Sequence, residues 1–192
     1  MKKTSHNILI VFLILCIGCK ERPELESIDQ LKTAELISDL LESKSKYLLS
    51  PSCISEEPRA ISGHVNEDFK NYAKEHLKIV DTFHLNNQMR FRENFRISKK
   101  IAGELKLLTK QNFEDLERLG TTAHFSFWSW LDENCENGYL SISKPIFNET
   151  YDLAIVQIGT VCGKLCGGGG TFIYKFDNGT WKETEILSSW VS

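Results

Sequence analysis

The hydrophobic pattern of the chain changes character near residue 120. Before that point, apolar residues recur at three- and four-residue spacing, which is typical of amphipathic helices. After it, aromatic and β-branched residues crowd short segments that are separated by turn signals, which indicates strands. Helices followed by strands, with no alternation of the two, predict an α+β fold with an antiparallel sheet.

Two helices are expected before residue 81. The spacing predicts a first helix from about Ser27 to Ser43, with the apolar positions Ile28, Leu31, Ala34, Ile37, Leu40 and Leu41. Asn66 is a candidate N-cap for a second helix. The predicted buried stripe of that helix is Phe69, Ala73, Leu77 and Val80. Residues 50–64 between the two contain two prolines and a glycine, so we expect a loop there.

The next two segments differ in clarity. Residues 86–98 fit both helical and strand spacing, and we favour helix. Thr109 can cap a further helix with its hydroxyl. Leu108 and Phe113 support this start, since they occupy the two positions of a hydrophobic staple. Gly120 is expected to end this helix in the left-handed conformation.

The strand patterns are confined to the C-terminal third. They are "HFSFWSWL", "YLSISKPIF", "YDLAIVQIGTV", "TFIYKF" and "TWKETEIL". The "DNG" at 177–179 is a tight-turn signal between the last two. We therefore expect N-terminal helices packed on a four- to five-stranded antiparallel sheet formed by the C-terminal third. The predicted single domain spans 28–192, helical over 28–120 and mainly β over 121–192.

The N-terminus has the features of an export signal. Lys2 and Lys3 precede an uncharged apolar run, Ile8 to Ile17, which is followed by Gly18. The run is shorter than the roughly 20 apolar residues that cross a bilayer. Its end, "CIGC", resembles the lipobox of bacterial lipoproteins, with Cys19 as the lipid-carrying residue.

The lipobox resemblance implies a processing route and a location. Residues 1–18 would be removed, Cys19 would carry a diacylglyceryl group and a fatty acyl chain such as palmitate, and 19–27 would be a tether. An ordinary cleaved signal is the alternative. The expected location is a bacterial membrane, with the outer membrane favoured and the facing side left open. Removing Lys2 and Lys3 leaves 23 − 2 = 21 basic residues against 26 acidic ones, which argues against nucleic acid as a partner.

Four cysteines would remain in the mature chain. An even number outside the cytosol predicts two disulfides, for which three pairings exist. We favour Cys162 with Cys166 and Cys53 with Cys135. The run "CGKLCGGGG" then indicates a stapled hairpin connection, whose glycines supply positive φ angles. A redox, metal or phosphate site is disfavoured there, since the spacing is C-x3-C and the glycines lead into a strand.

The motifs of common catalytic sites are absent from the sequence. It contains neither H-E-x-x-H nor G-x-S-x-G, so no catalytic residue, metal or cofactor is assigned. We expect His76 and His84 to be packed histidines, not ligands. An envelope hydrolase with scattered catalytic groups, around His124, Asp132 and Glu133, is the alternative to a non-enzymatic protein.

Two groups of side chains are candidate contact surfaces. The basic cluster is Arg90, Arg92, Arg96, Lys99 and Lys100. We expect a solvated helix face, with contact to anionic lipid or an acidic polymer as the alternative. The aromatic group is Trp128, Trp130, Trp181, Trp190, Tyr139, Tyr151 and Tyr174. Packing is the expected role, and a sugar- or peptide-binding face is the alternative.

The C-terminal third carries a further likeness. The patterns are Ser143-x-Pro145-x-Phe147, Cys162-Gly163-x-x-Cys166-Gly167-x-Gly169 and Gly179-x-Trp181. Together they resemble an uncharacterised domain of bacterial lipoproteins and secreted proteins. This resemblance implies location and fold but transfers no activity. The function expected is therefore a lipid-anchored binding module that holds an envelope protein, peptide or glycan near the membrane.

Overall fold

The computed structural model describes residues 22–43, 50–58, 67–120 and 126–192. The export signal, Cys19, the candidate cap Asn66 and His124 lie outside these ranges. The helices of the described ranges are α1 (Arg22–Glu42), α2 (Glu67–His76), α3 (Thr82–Glu93), α4 (Lys99–Ala102), α5 (Lys110–Leu119) and α6 (Phe127–Asn134). The strands are β1 (Cys53–Ser55), β2 (Lys106–Leu108), β3 (Tyr139–Ile142), β4 (Ile146–Phe147), β5 (Leu153–Gly163), β6 (Cys166–Asp177) and β7 (Thr180–Val191).

The helices before residue 120 form where the spacing predicts them. For residues 86–98, helix is confirmed as far as Glu93, where α3 ends. The cap of α5 is also confirmed: the Thr109 hydroxyl accepts a hydrogen bond from the backbone of Asn112, and the Asn112 side chain accepts one from the backbone of Thr109. Gly120 follows α5, but the left-handed conformation predicted for it is wrong, since its φ is −60°.

Two predicted apolar stripes need correction. In α1, Ile37 and Leu40 of the predicted stripe are buried as expected, but Asp29, Thr33 and Leu36 are buried with them, whereas Leu31 is 67% exposed. The period is helical, and the buried face differs from the predicted one mainly in the first half of the helix. At the end of α2, Val80 is exposed and Ile79 is buried instead. The helix stops at His76, and helical spacing no longer applies beyond it.

The sheet is larger than expected and is mixed. Its order is β2-β1-β3-β5-β6-β7, and β4 also pairs with β5. The α+β class is correct, but β1 lies parallel to both β2 and β3, and seven strands replace the predicted four or five. The residues of β1 were expected to be a loop. Each of β1 and β2 has three residues, too few for a periodic signal.

One predicted strand is a helix. The segment "HFSFWSWL" contains the start of α6, whose N-cap Ser126 accepts a hydrogen bond from the backbone of Ser129. Its Leu131 is fully buried with Phe113 and Tyr139, and its aromatic residues pack at the margin of this cluster. A short aromatic segment has no clear period, and here packing against α5 favours helix.

Helices cover both faces of the sheet. Along β5, Ala154, Val156 and Ile158 pack in one core cluster with α1. Ile155 points to the opposite face, into a second cluster with α2 and α3. Side chains alternate between the two faces of a strand, so the continuous burial of β5 follows from having helices on both sides.

The disulfide pairing favoured from the sequence is present. The Cα atoms of Cys53 and Cys135 lie 5.4 Å apart, and those of Cys162 and Cys166 lie 5.0 Å apart. The second disulfide joins β5 to β6 at their connection, as expected for a hairpin staple. The first joins β1 to the end of α6 across 82 residues of sequence.

The role predicted for the four glycines is wrong. Gly167 to Gly170 lie within β6, and none of them has a positive φ. Other atoms lie close to them instead. A Cβ at Gly169 would overlap the backbone of Ile158 and lie 3.0 Å from Nε1 of Trp190. Glycine is therefore required here by close approach of other atoms. Positive φ angles occur at the predicted β6–β7 turn, at Asn178 and Gly179.

Candidate functional site

A cleft of about 510 Å³ opens between α1 and the segment from α3 to α4. Its volume falls within the usual range for small-ligand sites, about 300–1,000 Å³. The lining residues are Glu26, Asp29, Gln30, Thr33, Arg90, Phe91, Asn94, Phe95, Arg96, Ile101 and Lys144. The wall is mixed, because phenylalanine and isoleucine side chains alternate with charged groups.

Lys144 reaches this cleft because the sheet is interrupted between β3 and β4. Pro145 has no N–H group and cannot continue a ladder. Ser143 bridges the gap: its backbone N–H donates to the carbonyl of Gln157 over 2.9 Å, and its hydroxyl accepts from the backbone N–H of Gln157, also over 2.9 Å. The adjacent Lys144 is held outside the ladder, buried against α1.

Lys144 forms a buried ion pair with Asp29. Its Nζ lies 2.7 Å from Oδ2 of Asp29, and the two side chains are 3% and 1% exposed. Nζ also donates to the carbonyl oxygen of Pro145 over 2.8 Å. Burial lowers the pKa of Lys144, and the neighbouring Asp29 carboxylate partly opposes that shift. The pair therefore places two opposite charges in a nearly dry site.

Gln88 of α3 completes the network behind the pair. Its Nε2 donates to Oδ1 of Asp29 over 2.8 Å and to the hydroxyl of Tyr151 over 3.3 Å. Its Oε1 accepts from the backbone N–H of Phe147 over 2.9 Å. Burial, and then the charge of Asp29, raise the pKa of Tyr151 to about 12. The network ties α1, α3 and β4 together and fixes the orientation of the Asp29 carboxylate.

One polar group at the cleft lacks a partner. Thr33 lies one turn after Asp29 on α1 and is 3% exposed. Its hydroxyl makes no hydrogen bond within the part of the chain that the structure describes. Buried hydroxyls are normally paired, so this atom is an exception in the cleft wall.

The charged side chains of the cleft are of both signs. Arg90 and Arg96 are exposed cations of the lining, and Lys144 lies buried with Asp29. Glu26 is the other carboxylate, so the lining carries three cations against two anions. Arg96 is shared, because its guanidinium also pairs with Glu57 over 2.8 Å.

The predicted basic cluster does not form one surface. Arg92 is half-buried: it donates to Oε1 of Gln157 over 2.9 Å and lies 4.3 Å from the ring centre of Phe69. Burial lowers its pKa. Lys99 donates to the carbonyl groups of Gly103 and Leu105 and holds the end of α4. Lys100 is exposed. Contact of this cluster with an anionic surface stays a prediction.

The candidate histidines lie in separate places. His76 packs against Tyr72 with ring centres 4.3 Å apart. His84 is buried, with Nε2 2.9 Å from the carbonyl oxygen of Phe147. Asp132 and Glu133 are exposed on α6 and do not line the cleft. Nowhere in the described ranges do three His, Cys, Asp or Glu side chains converge in a way that suits a metal ion.

Six of the seven candidate aromatic residues are divided between two core clusters. Tyr151, Tyr174 and Trp181 are buried in the cluster that contains α1. Tyr139 is buried with the half-buried Trp128 and Trp130 in the cluster of α5 and α6. Trp190 lies on β7 against the glycines of β6. A single aromatic binding face across these residues is therefore not formed.

A second recess of about 560 Å³ lies on the other side of Ile101. Leu41, Pro51, Ala102 and Leu105 form much of its apolar wall. It borders both ends of the segment 44–49, which is outside the described residues. We assign no site to it for that reason.

Sequence reasoning missed the residues that build the cleft. Asp29 and Thr33 share a helix face with Leu36 and Leu40, and polar residues on an otherwise apolar face are a detectable signal. Lys144 stands in the run "SISKPIF", a lone charge before a proline within a strand-like segment. Gln88 gave no such signal. Its role depends on where α3 packs.

Among the residues that the structure describes, no helix combines the length and apolar character required to cross a bilayer. Comparison with protein-family models, curated proteins and solved structures finds no match to this chain.

Proposed function

We propose that this protein is a lipid-anchored protein of the bacterial cell envelope that binds a small ligand, or one end of a peptide or glycan, in the cleft between α1 and the α3–α4 segment. The observation that carries the binding function is the cleft itself. It combines a suitable volume, apolar walls and a buried Asp29–Lys144 pair whose position is fixed by Gln88. Such convergence of a few oriented polar groups in an apolar recess is typical of ligand sites.

Binding without catalysis agrees with the hydrogen bonding of the pair. Both oxygens of Asp29 accept hydrogen bonds, from Lys144 and from Gln88, so the carboxylate is held as the fixed partner of Lys144. A general base acts by taking a proton, and protonation of Asp29 would leave Lys144 without its counter-charge. The alternative of a hydrolase around His124, Asp132 and Glu133 gains no support from the cleft, since neither Asp132 nor Glu133 lines it.

The anchor is supported by the sequence of residues 1–19, and it is tested separately from the cleft. Wild-type protein, expressed in a Gram-negative host, is expected to carry the acyl mass on Cys19 and to fractionate with membranes. Cys19→Ser is expected to lose both properties, because a serine oxygen does not accept the lipid in this pathway. Membrane fractionation of Cys19→Ser with unchanged lipid mass would contradict the anchor.

The cleft is tested by blocking it. Gln30 lines the cleft from α1, so Gln30→Trp places an indole in the ligand space. Ser27→Trp is the matched control, since Ser27 is exposed on the same helix and does not line the cleft. Mass spectrometry of extracts from the purified proteins is expected to find a small molecule with wild type and Ser27→Trp that is absent with Gln30→Trp. Equal extracts from all three would contradict a ligand in this cleft.

A further inference from the structure

Thr33 is the first of two hydrogen-bond donors in the lining of the cleft. Its hydroxyl is buried in the cleft wall and has no partner among the described residues. Leaving a hydroxyl unpaired in such a site is unfavourable. A ligand oxygen that pairs with it would remove this penalty.

Lys144 supplies the second donor. An ammonium group has three N–H bonds. Two of them are directed at Asp29 and at the carbonyl oxygen of Pro145. Lys144 also lines the cleft, and its Nζ lies 5.1 Å from the centre of the Phe147 ring, so an oxygen acceptor in the cleft would compete with that ring for the third N–H. Asp29 favours the charged form of the Lys144 ammonium and orients it, although burial, the larger effect, lowers the pKa of Lys144.

The other lining residues indicate the charge and the apolar character of the ligand. Arg90 adds an exposed cation to the lining and Glu26 an exposed carboxylate, so a negative group is favoured on the Arg90 side of the cleft. Phe91, Phe95 and Ile101 provide apolar walls around the charged groups. A ligand that satisfies both features has a compact anionic end and an apolar body.

We infer that the cleft binds a small organic carboxylate, with its carboxylate oxygens at the Thr33 hydroxyl and the Lys144 ammonium and its apolar body against Phe91, Phe95 and Ile101. This inference rests on the proposed binding function and specifies its ligand class. A carboxylate suits the two donors, because it offers two oxygens that accept from neighbouring groups at once.

The inference is tested with a pair of probes of similar size, in which a carboxylate is replaced by a neutral carboxamide. The mature lipidated protein, inserted in nanodiscs of zwitterionic lipid, is titrated calorimetrically with 3-phenylpropionate and with 3-phenylpropanamide. Empty nanodiscs provide the blank. We expect the carboxylate to bind at least about tenfold more tightly than the amide, since charge-assisted hydrogen bonds are about twice as strong as neutral ones. Equal binding of the two probes would overturn the carboxylate assignment but leave a cleft ligand in place.

Thr33→Val tests the hydroxyl without changing the side-chain volume greatly. It is expected to weaken 3-phenylpropionate binding by about fivefold, the equivalent of one hydrogen bond, while the melting temperature of the free protein is unchanged or higher. Thr160→Val is the control, because Thr160 is 2% exposed in β5 and its hydroxyl is also unpartnered, but it lies outside the cleft. Thr160→Val is expected to leave the affinity unchanged. Unchanged affinity in Thr33→Val would overturn the inference.

Arg90→Gln tests the charge at the cleft. The preference for 3-phenylpropionate over 3-phenylpropanamide is expected to shrink, and the salt dependence of binding to fall with it. Suppose that neither probe binds, but a neutral or cationic compound is extracted from the wild type and not from Gln30→Trp. The ligand class is then wrong and the binding function stands. If neither probe binds and no such compound exists, both proposals fail.

Discussion

At the scale of single residues, the site depends on polar groups placed where the surrounding pattern is apolar. Asp29 and Thr33 continue the buried face of α1 that Leu36 and Leu40 begin. A buried charge is expensive unless it is paired, and Lys144 supplies the partner from a distant part of the chain. Burial of either charge alone would be unfavourable, so Asp29 and Lys144 are tolerated here as a hydrogen-bonded pair.

Removal of one partner from the buried pair is expected to be strongly destabilising. Asp29→Ala leaves the Lys144 ammonium buried without a counter-charge, which costs about 3–5 kcal/mol of unfolding free energy. The control is Glu35→Ala on the same helix, which breaks the more exposed Lys32–Glu35 pair and is expected to cost about 1 kcal/mol or less. Urea unfolding monitored by circular dichroism measures both.

A double variant separates the charge from the packing. In Asp29→Ala with Lys144→Met, no charge remains in the site, so the loss is expected to be smaller than in Asp29→Ala alone. If Asp29→Ala and Glu35→Ala lower the unfolding free energy equally, the Asp29–Lys144 pair is not buried in solution.

At the scale of elements, the β5–β6 hairpin shows how one strand can require glycine without any unusual backbone angle. The glycines of β6 are paired with β5 on one side and β7 on the other. Trp190 lies over them, and backbone atoms of Ile158 approach Gly169 closely. The glycine run therefore allows two neighbouring strands and an indole to pack closely.

Gly169→Ala is expected to lower the unfolding free energy by about 1–3 kcal/mol or more, because its Cβ would overlap the backbone of Ile158. Gly163→Ala in the same hairpin is the control. A Cβ there would meet only the Cβ of Cys166, at 3.4 Å, and φ is not positive. Comparable urea midpoints for the two variants would contradict close packing as the reason for the glycines.

At the scale of the whole molecule, the sheet brings together segments that are far apart in the chain. β1 pairs in parallel with β3, and the disulfide between Cys53 and Cys135 crosses next to this pairing. On the other face of the sheet, α1 contacts β7, where Asp39 accepts a hydrogen bond from the backbone of Trp181 over 2.7 Å. These long-range contacts hold α1 in place and with it one wall of the cleft.

The two disulfides are expected to contribute unequally. Cys53→Ala with Cys135→Ala opens a loop across 82 residues of sequence and should cost about 4–5 kcal/mol on the chain-entropy model. Cys162→Ala with Cys166→Ala opens a loop across four and should cost about 2 kcal/mol. Guanidinium unfolding of the oxidised proteins compares the two losses.

Thiol labelling provides the accompanying check on both disulfides. In the folded, unreduced wild type, none of these four cysteines should react. Stoichiometric labelling at Cys162 or Cys166 would contradict the staple and would favour a redox role for the hairpin tip.

Features that depend on neighbouring residues were predictable from the sequence. The cap at Thr109, the turn at Asn178–Gly179 and the helical periods of α1 and α2 are determined by local hydrogen bonding and local spacing. The pairing of cysteines was favoured correctly, although its geometry could not be derived. The buried face of α1 was predicted correctly at Ile37 and Leu40 but not at Asp29 and Thr33, because burial there depends on Lys144 and the sheet beneath.

The amino-acid sequence by itself determined the α+β class, the long C-terminal hairpins and the positions of most helices, because such elements arise from contacts within a few residues. Only the tertiary structure decided the parallel strands β1 and β2, the helical state of the aromatic segment and the cleft. A three-residue strand exists only where another strand offers hydrogen bonds, and Asp29 and Lys144 can be buried only where folding places them together. Both outcomes depend on long-range contacts, which leave no periodic trace in a single sequence.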